Sequence, residues 1–565
     1  MMLSNGRSTP LYNLFLEGVG EFAELFEVAE PVEDAVDTPV LALALFLPLL
    51  AALIIAVPLV LGIDIGRLAC GVISTASLAL STTLLSIPAA SLIAGRNAVR
   101  ELYYVPVLTF KGGIDLFADG LSLPLAVLIA LLSTLSSLYS IAYMDRLEVI
   151  RLRDIRRDSY YSMAYREALI WPEYVPKRES PTEVPSIEAY YICLLLFADS
   201  MLWAVLSTNL IHFLIFYEFV TVPTTLLVYI WGSGPCRLIA IKYFIYMLVG
   251  GVFVLLGIAW VYAETGCVDI LCLYPSMLGL SRATKAQIAA LLLLGFGIKA
   301  SIFPLHTWLP DFHAEAPVPI HALLSGALIK CGVYGIARMA LPLLTDIITE
   351  HRLALMLLSL ATMFWGAFMA VMQRQIKRIL AYSSINQMGY ITLGLFSGTQ
   401  LGILGGLLHV ITHGIAKDLL LLCAGSVIHA TGSRNVDELG GISSRMPITS
   451  SSTLVGGLSL AGVPPLAGFM SEWLIFLGVF QAGYHPIALA GMASTAITMG
   501  YYLWMTRRIF FQKPRKSPKM VHESPLLMTF PLIVCVVLLV ALGVYPQPLI
   551  GVIQSYACII AGGGA

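Results

Sequence analysis

Long apolar stretches limit the possible folds of this chain more than any other feature. Runs of about 20 residues with few charges recur from Pro39 to Leu542, and a helix of that length crosses a hydrocarbon core about 30 Å thick. Hydrophobic residues make up 58% of the 565 residues and charged residues 12%, about half the charged share of an ordinary soluble domain. Such a chain cannot present a wettable surface, so we interpret the runs as membrane-spanning helices.

The sequence predicts an all-α membrane protein with about fourteen transmembrane helices. The predicted spans are residues 40–61, 68–94, 120–143, 189–207, 209–231, 238–263, 286–309, 318–342, 353–372, 379–397, 400–429, 447–481, 487–505 and 526–545. The twelfth is too long for one straight helix and contains Pro464 and Pro465, so we expect it to break in its middle. The acidic N-terminal segment, residues 1–38, is predicted to lie outside the spans as a short amphipathic helix or a mobile tail.

The distribution of Lys and Arg predicts an orientation, because basic residues concentrate in cytoplasmic loops. Odd-numbered connections hold 21 of the 33 basic residues, whereas the other side holds seven. Both termini are therefore predicted on the outer face of the cell membrane, and residues 144–188 are predicted to form a polar cytoplasmic insertion.

Composition and motifs exclude several classes of function. A formal net charge of −1 without a basic, aromatic-rich cluster gives no sign of a nucleic-acid partner. The nine Cys include no CxxC pair, which argues against an iron-sulfur or zinc site. No nucleotide-binding loop is present, because the glycines at Gly295 and Gly297 lie inside an apolar helix. We therefore predict no cofactor and no metal, and any redox chemistry must belong to partner subunits.

Charged residues inside the spans point to ion movement. Nine ionisable side chains fall within them: Asp199, Glu218, Lys242, Lys299, Lys330, Arg338, Lys417, Asp418 and Glu472. Leaving all of them unpaired would cost on the order of 20 to 30 kcal/mol, which a purely structural membrane protein would not tolerate. Burial disfavours the charged form of a lysine and a nearby carboxylate favours it, so movement of one charge can load or release the proton of the next.

Two interrupted helices occur at matching places in the two halves of the chain. Lys299 lies between glycines and Pro304, and Glu472 follows a Gly-Val-Pro-Pro sequence five spans later. Such pairs mark the binding sites of inverted-repeat transporters, and the odd number of spans means that the second copy enters the membrane upside down. The predicted five-helix repeats are residues 189–342 (spans 4–8) and 353–511 (spans 9–13). Residues 39–143 form three preceding helices, and residues 512–565 form a basic loop and a last helix.

His409, His413 and Lys417 recur every fourth residue and therefore share one helix face. The two histidines alone are compatible with a haem or metal site, but no third ligand of fitting spacing is evident. Histidine titrates near neutrality, so we prefer a proton relay.

Several motifs carry a family resemblance that covers roughly residues 100 to 510. They are Phe216-Tyr-Glu218, Lys242-Tyr-Phe-Ile-Tyr246, Lys299-Ala-Ser-Ile-Phe-Pro-Leu-His306-Thr-Trp-Leu-Pro-Asp-Phe-His313, His321-Ala-Leu-Leu-Ser-Gly-Ala-Leu-Ile-Lys330, Gln375-Ile-Lys-Arg-Ile-Leu-Ala-Tyr-Ser-Ser384 and His409 through Lys417. They closely resemble the antiporter-like subunits shared by respiratory complex I, Mrp antiporters and membrane-bound hydrogenases.

The resemblance implies fourteen helices with two inverted five-helix units, each forming half of a proton path. It implies that Glu218 pairs with Lys299, that Lys330 links the halves, and that Glu472 lies at the far exit. Many relatives carry Lys at that last position, whereas complex I subunits of the fourth type and formate-hydrogenlyase-type subunits carry Glu. The phrase Ser471-Glu-Trp-Leu474 favours the hydrogenase side, and Asp418 beside Lys417 departs from the family pattern.

The main hypothesis is a non-redox, ion-pumping subunit of a hydrogenase-like or complex I-like oxidoreductase assembly. Its expected partners are other membrane subunits, through them a soluble iron-sulfur arm, and protons, with sodium left open. An Mrp-type Na⁺/H⁺ antiporter subunit is the alternative, and a quinone- or haem-binding redox subunit is a weaker one. The relay residues, as we call the predicted pathway, are Glu218, Lys242, Lys299, His306, His313, His321, Lys330, His409, His413, Lys417 and Glu472.

Overall fold

The computed structural model describes residues 39–95, 98–103, 114–146, 186–513 and 521–561. The acidic N-terminal segment and most of the predicted insertion at 144–188 lie outside the described residues.

Helices account for nearly all of the described fold, as predicted. The first part contains α1 (Val40–Val60), α2 (Arg67–Ile93), a hairpin of β1 (Ala98–Tyr103) and β2 (Ile114–Asp119), and α3 (Ser122–Tyr143). It continues with α4 (Ile187–Leu206), α5 (Leu210–Phe219), α6 (Thr221–Trp231), α7 (Cys236–Thr265), α8 (Ile270–Leu278), α9 (Arg282–Lys299), α10 (Leu309–Glu315) and α11 (Val318–Leu323).

The second part begins inside the eighth predicted span. It contains α12 (Ile329–Gly335), α13 (Leu341–Leu343), α14 (Thr345–Glu350), α15 (Arg352–Met372), α16 (Ile376–Phe396), α17 (Gln400–Thr431), α18 (Pro447–Leu460), α19 (Ala467–Gln481), α20 (His485–Thr506), α21 (Leu526–Val544) and α22 (Gln547–Ile560). Two π-helical segments, Leu324–Leu328 and Ile336–Ala340, flank α12 and join it to its neighbours.

All fourteen predicted spans contain helix. Ten spans in the described part of the chain are long and apolar enough to cross a membrane by length and composition. The spans predicted at 286–309, 379–397, 447–481 and 487–505 are not among these ten, although they contain α9, α16, α18 with α19, and α20. The number fourteen therefore stays a prediction.

Local sequence signals explain where several helices begin and end. The side chain of Asn209 caps α5 by accepting a hydrogen bond from the Ile211 N–H at 2.8 Å. Gly266 and Gly432 end α7 and α17 in the left-handed conformation, with φ of 67° and 70°. These caps satisfy backbone groups that helix ends leave without partners inside the helix.

The two helix breaks predicted at spans 7 and 12 are present and have the same hydrogen-bond pattern. At the first, the Ser301 N–H donates to Ile298 and the Ile302 N–H to Gly297; at the second, Gly462 donates to Ser459 and Val463 to Leu458. The left-handed residue falls at the same step, with φ of 58° at Ser301 and 63° at Gly462. Each hydrogen bond and the left-handed residue of the first break thus recur 161 residues later in the second break.

The hairpin of β1 and β2 was not predicted, and it supports an ion pair deep in the fold. β2 ends at Asp119, whose carboxylate accepts two 2.7 Å hydrogen bonds from the Arg338 guanidinium. The Arg338 Nε also donates to the Tyr334 hydroxyl at 3.1 Å. Arg338 is thus buried, and all three of its guanidinium nitrogens have partners.

Two spans form the centre of the molecule. Val318–Leu343 and α17 are buried along nearly their whole length, whereas only about half of α1 is buried. α17 packs against α16 and α19, and the π segment Leu324–Leu328 packs against α17. Most relay residues lie on these central elements or on the broken helices beside them.

Candidate functional site

Lys299 is the last residue of α9 and points into the protein at the first helix break. Its ammonium lies 3.7 Å from Glu218 Oε1, as the resemblance implied. It also donates a hydrogen bond to the Tyr217 backbone carbonyl and lies 3.3 Å from the centroid of the Tyr217 ring. The lysine side chain is only 2% exposed, so the carboxylate, carbonyl and ring replace its water shell.

Glu218 reaches Lys299 through a gap left by a glycine. A Cβ at Gly251 of α7 would lie 2.3 Å from the Glu218 Cδ and Oε2 atoms. Only a residue without a side chain permits this approach, so Gly251 helps to set the position of the carboxylate.

The centre of the site contains His313, His321 and Lys330. The two imidazole rings lie 4.7 Å apart in an edge-on arrangement, and all four of their nitrogens are buried without partners among the described residues. Lys330 is fully buried and donates to the Ser325 backbone carbonyl. The Ser325 hydroxyl is 2.6 Å from that of Ser384 on α16, so a polar contact links the two halves beside Lys330.

Lys417 lies on α17 and points toward α16 and α20. Its ammonium donates to the Leu380 carbonyl at 2.8 Å and to the Ser383 hydroxyl, and it lies 3.4 Å from the Tyr502 hydroxyl. Its partners are thus neutral oxygens on α16 and α20, in contrast to the carboxylate beside Lys299.

His409 connects α17 with the second broken helix. Its Nδ1 is 2.8 Å from the Ser471 hydroxyl and its Nε2 is 2.5 Å from Gln387 Oε1. The ring of His413 follows at a centroid distance of 6.1 Å, and neither of its nitrogens has a partner among the described residues. Both nitrogens of His409 thus already contact side-chain oxygens.

Glu472 lies beyond the second break, one turn into α19. Its Oε2 accepts a 3.3 Å hydrogen bond from the Thr495 hydroxyl, and its Oε1 has no partner among the described residues. A Cβ at Gly462 would lie 2.6 Å from Oε2, so the carboxylate leans toward the break. Lys299 precedes its break and Glu472 follows its own, which means that the two charges are not at equivalent positions in the two broken helices.

Lys242 and His306 lie nearer the edge of the site. The Lys242 ammonium is 2.8 Å from Asp311 Oδ2 and its side chain is 36% exposed. Arg378 on α16 binds the other oxygen of Asp311 at 3.0 Å. His306 contacts the rings of Phe303 and Trp365, at centroid distances of 5.6 and 5.8 Å.

Sequence reasoning missed the residues that hold the relay residues in place. Tyr217, Ser471 and Gln387 contact Lys299 and His409, and Asp311 joins cations from two predicted repeats. Tyr217 and Ser471 stand directly before Glu218 and Glu472, and adjacency was the only signal available for them. Within the described residues, no group of three or more His, Cys, Asp or Glu side chains is arranged to hold a metal ion.

Comparisons with known proteins identify similar chains. A family model described as NADH:quinone oxidoreductase/Mrp antiporter, TM, matches residues 207–498. NAD(P)H-quinone oxidoreductase chain 4 1 of Synechococcus sp. (strain JA-2-3B'a(2-13)) is 30% identical over 460 residues, which cover 79% of this chain and 78% of that protein.

Two solved structures show the same fold. A chain of the membrane-bound sulfane sulfur reductase, an archaeal respiratory membrane complex, aligns with a TM-score of 0.73 and 26% identity, covering 89% of this chain and 76% of that one. A chain of the Mrp complex from Dietzia sp. DQ12-45-1b aligns with a TM-score of 0.76 and 20% identity, covering 93% of this chain and all of the other.

Proposed function

The chain belongs to the NADH:quinone oxidoreductase/Mrp antiporter membrane family, and from that premise we propose that its relay residues conduct protons within a redox-driven, multi-subunit membrane complex. The partner membrane subunits couple electron transfer to proton movement in this chain, and a soluble iron-sulfur arm bound to them supplies the electrons. This chain itself moves charge and carries out no redox step.

The ion pair at the first break is the observation that carries the proposal. A lysine and a carboxylate lie 3.7 Å apart at the end of an interrupted helix, and the carboxylate Oε1 has no hydrogen-bond partner among the described residues. Breaking a helix inside a membrane is tolerated where the freed backbone lines a polar cavity. A purely structural ion pair does not need a polar cavity beside it, whereas a site that gains and loses protons needs a polar route by which the protons arrive and leave.

Electrostatic neighbours suggest how a proton crosses the centre. Lys330 lies within electrostatic range of Lys417, and both His409 and His413 lie within range of Lys330. A proton arriving at one of these groups disfavours a second charge on the next, so protonation of one lysine expels the proton of its neighbour. The buried ring nitrogens without protein partners are places where water molecules bind and pass protons.

The matching breaks support the two predicted repeats, residues 189–342 and 353–511. Each repeat would supply one half of the path, with Glu218 and Lys299 in the first and Lys417 and Glu472 in the second.

The bias of Lys and Arg supports a cell-membrane location with both termini outside. Single Cys residues introduced near Arg157 and Lys516, after exposed native Cys are removed, should resist an impermeant external thiol reagent in intact cells.

Reconstituted complexes test the proton path. We expect Lys299→Ala and Glu218→Ala to abolish proton uptake into vesicles while leaving electron transfer and assembly largely intact. Lys285→Ala is the matched control, because Lys285 lies on the same helix and its ion pair with Asp346, at 3.1 Å, is outside the site. Proton uptake at the wild-type rate in either site variant, with normal electron transfer, would contradict the proposal.

The driving force separates this function from an Mrp-type antiporter. Vesicles are energised first by reducing the complex and then, without a reductant, by a sodium gradient. Uptake that requires the reductant supports the redox-driven subunit. Uptake driven by sodium alone would instead identify a cation/proton antiporter.

A further inference from the structure

Asp418 is a buried carboxylate that the proposed path does not use. It is fully buried on α17, and neither of its oxygens has a hydrogen-bond partner of good geometry among the described residues. An unpaired charge at such a depth is costly, and intramembrane carboxylates of this kind face a functional partner by default. Its surroundings therefore identify what it acts on.

Asp418 does not pair with its sequence neighbour. Consecutive residues on a helix point in different directions, and Lys417 reaches α16 and α20. Asp418 instead faces the junction of α17 with α3 and the π segment Leu324–Leu328. A Cβ at Gly326 would lie 2.8 Å from Leu132 Cδ1 and 3.8 Å from the Asp418 Cβ.

Two features of that junction give the carboxylate a role. The Ser136 hydroxyl of α3 lies within reach of it, and Lys330 lies within electrostatic range. Lys330 lies about one turn after Gly326, in α12, which directly follows the π segment. Lys417 is also within electrostatic range of Lys330 and repels it.

We propose that Asp418 is a positioning residue that provides the counter-charge for Lys330, as Glu218 does for Lys299. The inference rests on the proposed function. Lys299 and Lys330 then each have one carboxylate, and the proton of Lys330 is held against the repulsion of Lys417. In that arrangement, removing the carboxylate makes Lys330 lose its proton at a lower pH, because an opposite charge no longer favours the ammonium form.

Other titratable groups also face this pair and remain unchanged in the test below. Those within range of Lys330 are Cys331, His313, His409, His413 and Lys417. Those within range of Asp418, besides Lys330, are Tyr139 and Cys535.

The test is the pH dependence of proton translocation by the reconstituted complex. In Asp418→Asn, we expect the alkaline limb of the profile to move to lower pH by about one unit or more. Asp418→Glu keeps the carboxylate and should restore the wild-type limb. Asp199→Asn is the matched control, since Asp199 is also buried with an oxygen that lacks a partner, and no charged neighbour acts on it in the described part of the chain.

The outcomes separate the two proposals. An Asp418→Asn profile that coincides with wild type, or an equal shift in Asp199→Asn, overturns the role of Asp418. If Asp418→Asn does not assemble, Ser136→Ala is the deciding variant. Loss of the hydroxyl disfavours the ionised carboxylate of Asp418, so the inference requires a smaller shift of the alkaline limb to lower pH. An unshifted limb in Ser136→Ala overturns the inference. A wild-type complex that moves no protons overturns the proposed function itself.

Discussion

Replacing Gly251 by Ala tests the site without removing any titratable group. The new methyl group would lie 2.3 Å from the Glu218 carboxylate, so the carboxylate must retreat by about 1 Å to reach ordinary contact distance. With an effective dielectric constant near 20, two charges 3.7 Å apart attract by roughly 4.5 kcal/mol. A displacement directly away from Lys299 gives a separation of about 4.8 Å, at which the attraction is roughly 3.5 kcal/mol.

The loss of about 1 kcal/mol corresponds to about a fivefold change in an equilibrium. We therefore expect Gly251→Ala to reduce the rate of proton uptake into vesicles by about fivefold or more, with electron transfer maintained. Overpacking also costs about 1 to 3 kcal/mol of stability, so the amount of assembled complex must be measured alongside the rate.

Gly257→Ala is the matched control for this substitution. Gly257 lies on the same helix, and a Cβ there would meet the apolar Leu292 side chain at 2.7 Å. It therefore imposes similar crowding without touching a carboxylate. Equal rates per assembled complex in Gly251→Ala and wild type, or equal losses in the two glycine variants, would refute the reasoning.

Three other sets of substitutions probe different parts of the molecule. Lys330→Arg should stop proton uptake in vesicles, because Arg does not release a proton at physiological pH; uptake at the normal rate would remove Lys330 from the path. Glu472→Gln should block translocation and Glu472→Asp should keep part of it, and a wild-type ratio of protons to electron pairs in the Gln variant would make Glu472 a structural residue. Arg338→Met should destabilise the protein by about 3 to 5 kcal/mol by leaving Asp119 unpaired, and adding Asp119→Asn should recover part of the loss in thermal unfolding. An unchanged unfolding temperature in Arg338→Met would contradict that view of the ion pair.

The broken helices could be predicted from sequence because their cause is local. Gly295, Gly297 and Pro304 surround Lys299, and backbone chemistry alone interrupts a helix there. The periodicity of His409 and His413 likewise placed them on one face. These are the features for which neighbours along the chain decide the structure.

The remaining features depend on contacts between distant residues. His409 contacts Gln387 and Ser471, which are 22 and 62 positions away, and no local pattern indicates either contact. The hairpin of β1 and β2 was missed because its strands lie between apolar spans, where a search for long hydrophobic runs gives no signal. The direction in which Asp418 points follows from the helix around it only when the packing of α3 is known.

The shared carboxylate of Asp311 joins the two predicted repeats through two ion pairs. Lys242 holds one of its oxygens from α7 and Arg378 holds the other from α16. If either repeat tilts, Asp311 must move with one cation, and its ion pair with the other cation lengthens. A displacement in one repeat therefore weakens a contact made by the other. If the proposed function holds, a displacement of one repeat would change the ion pairing of the other through Asp311.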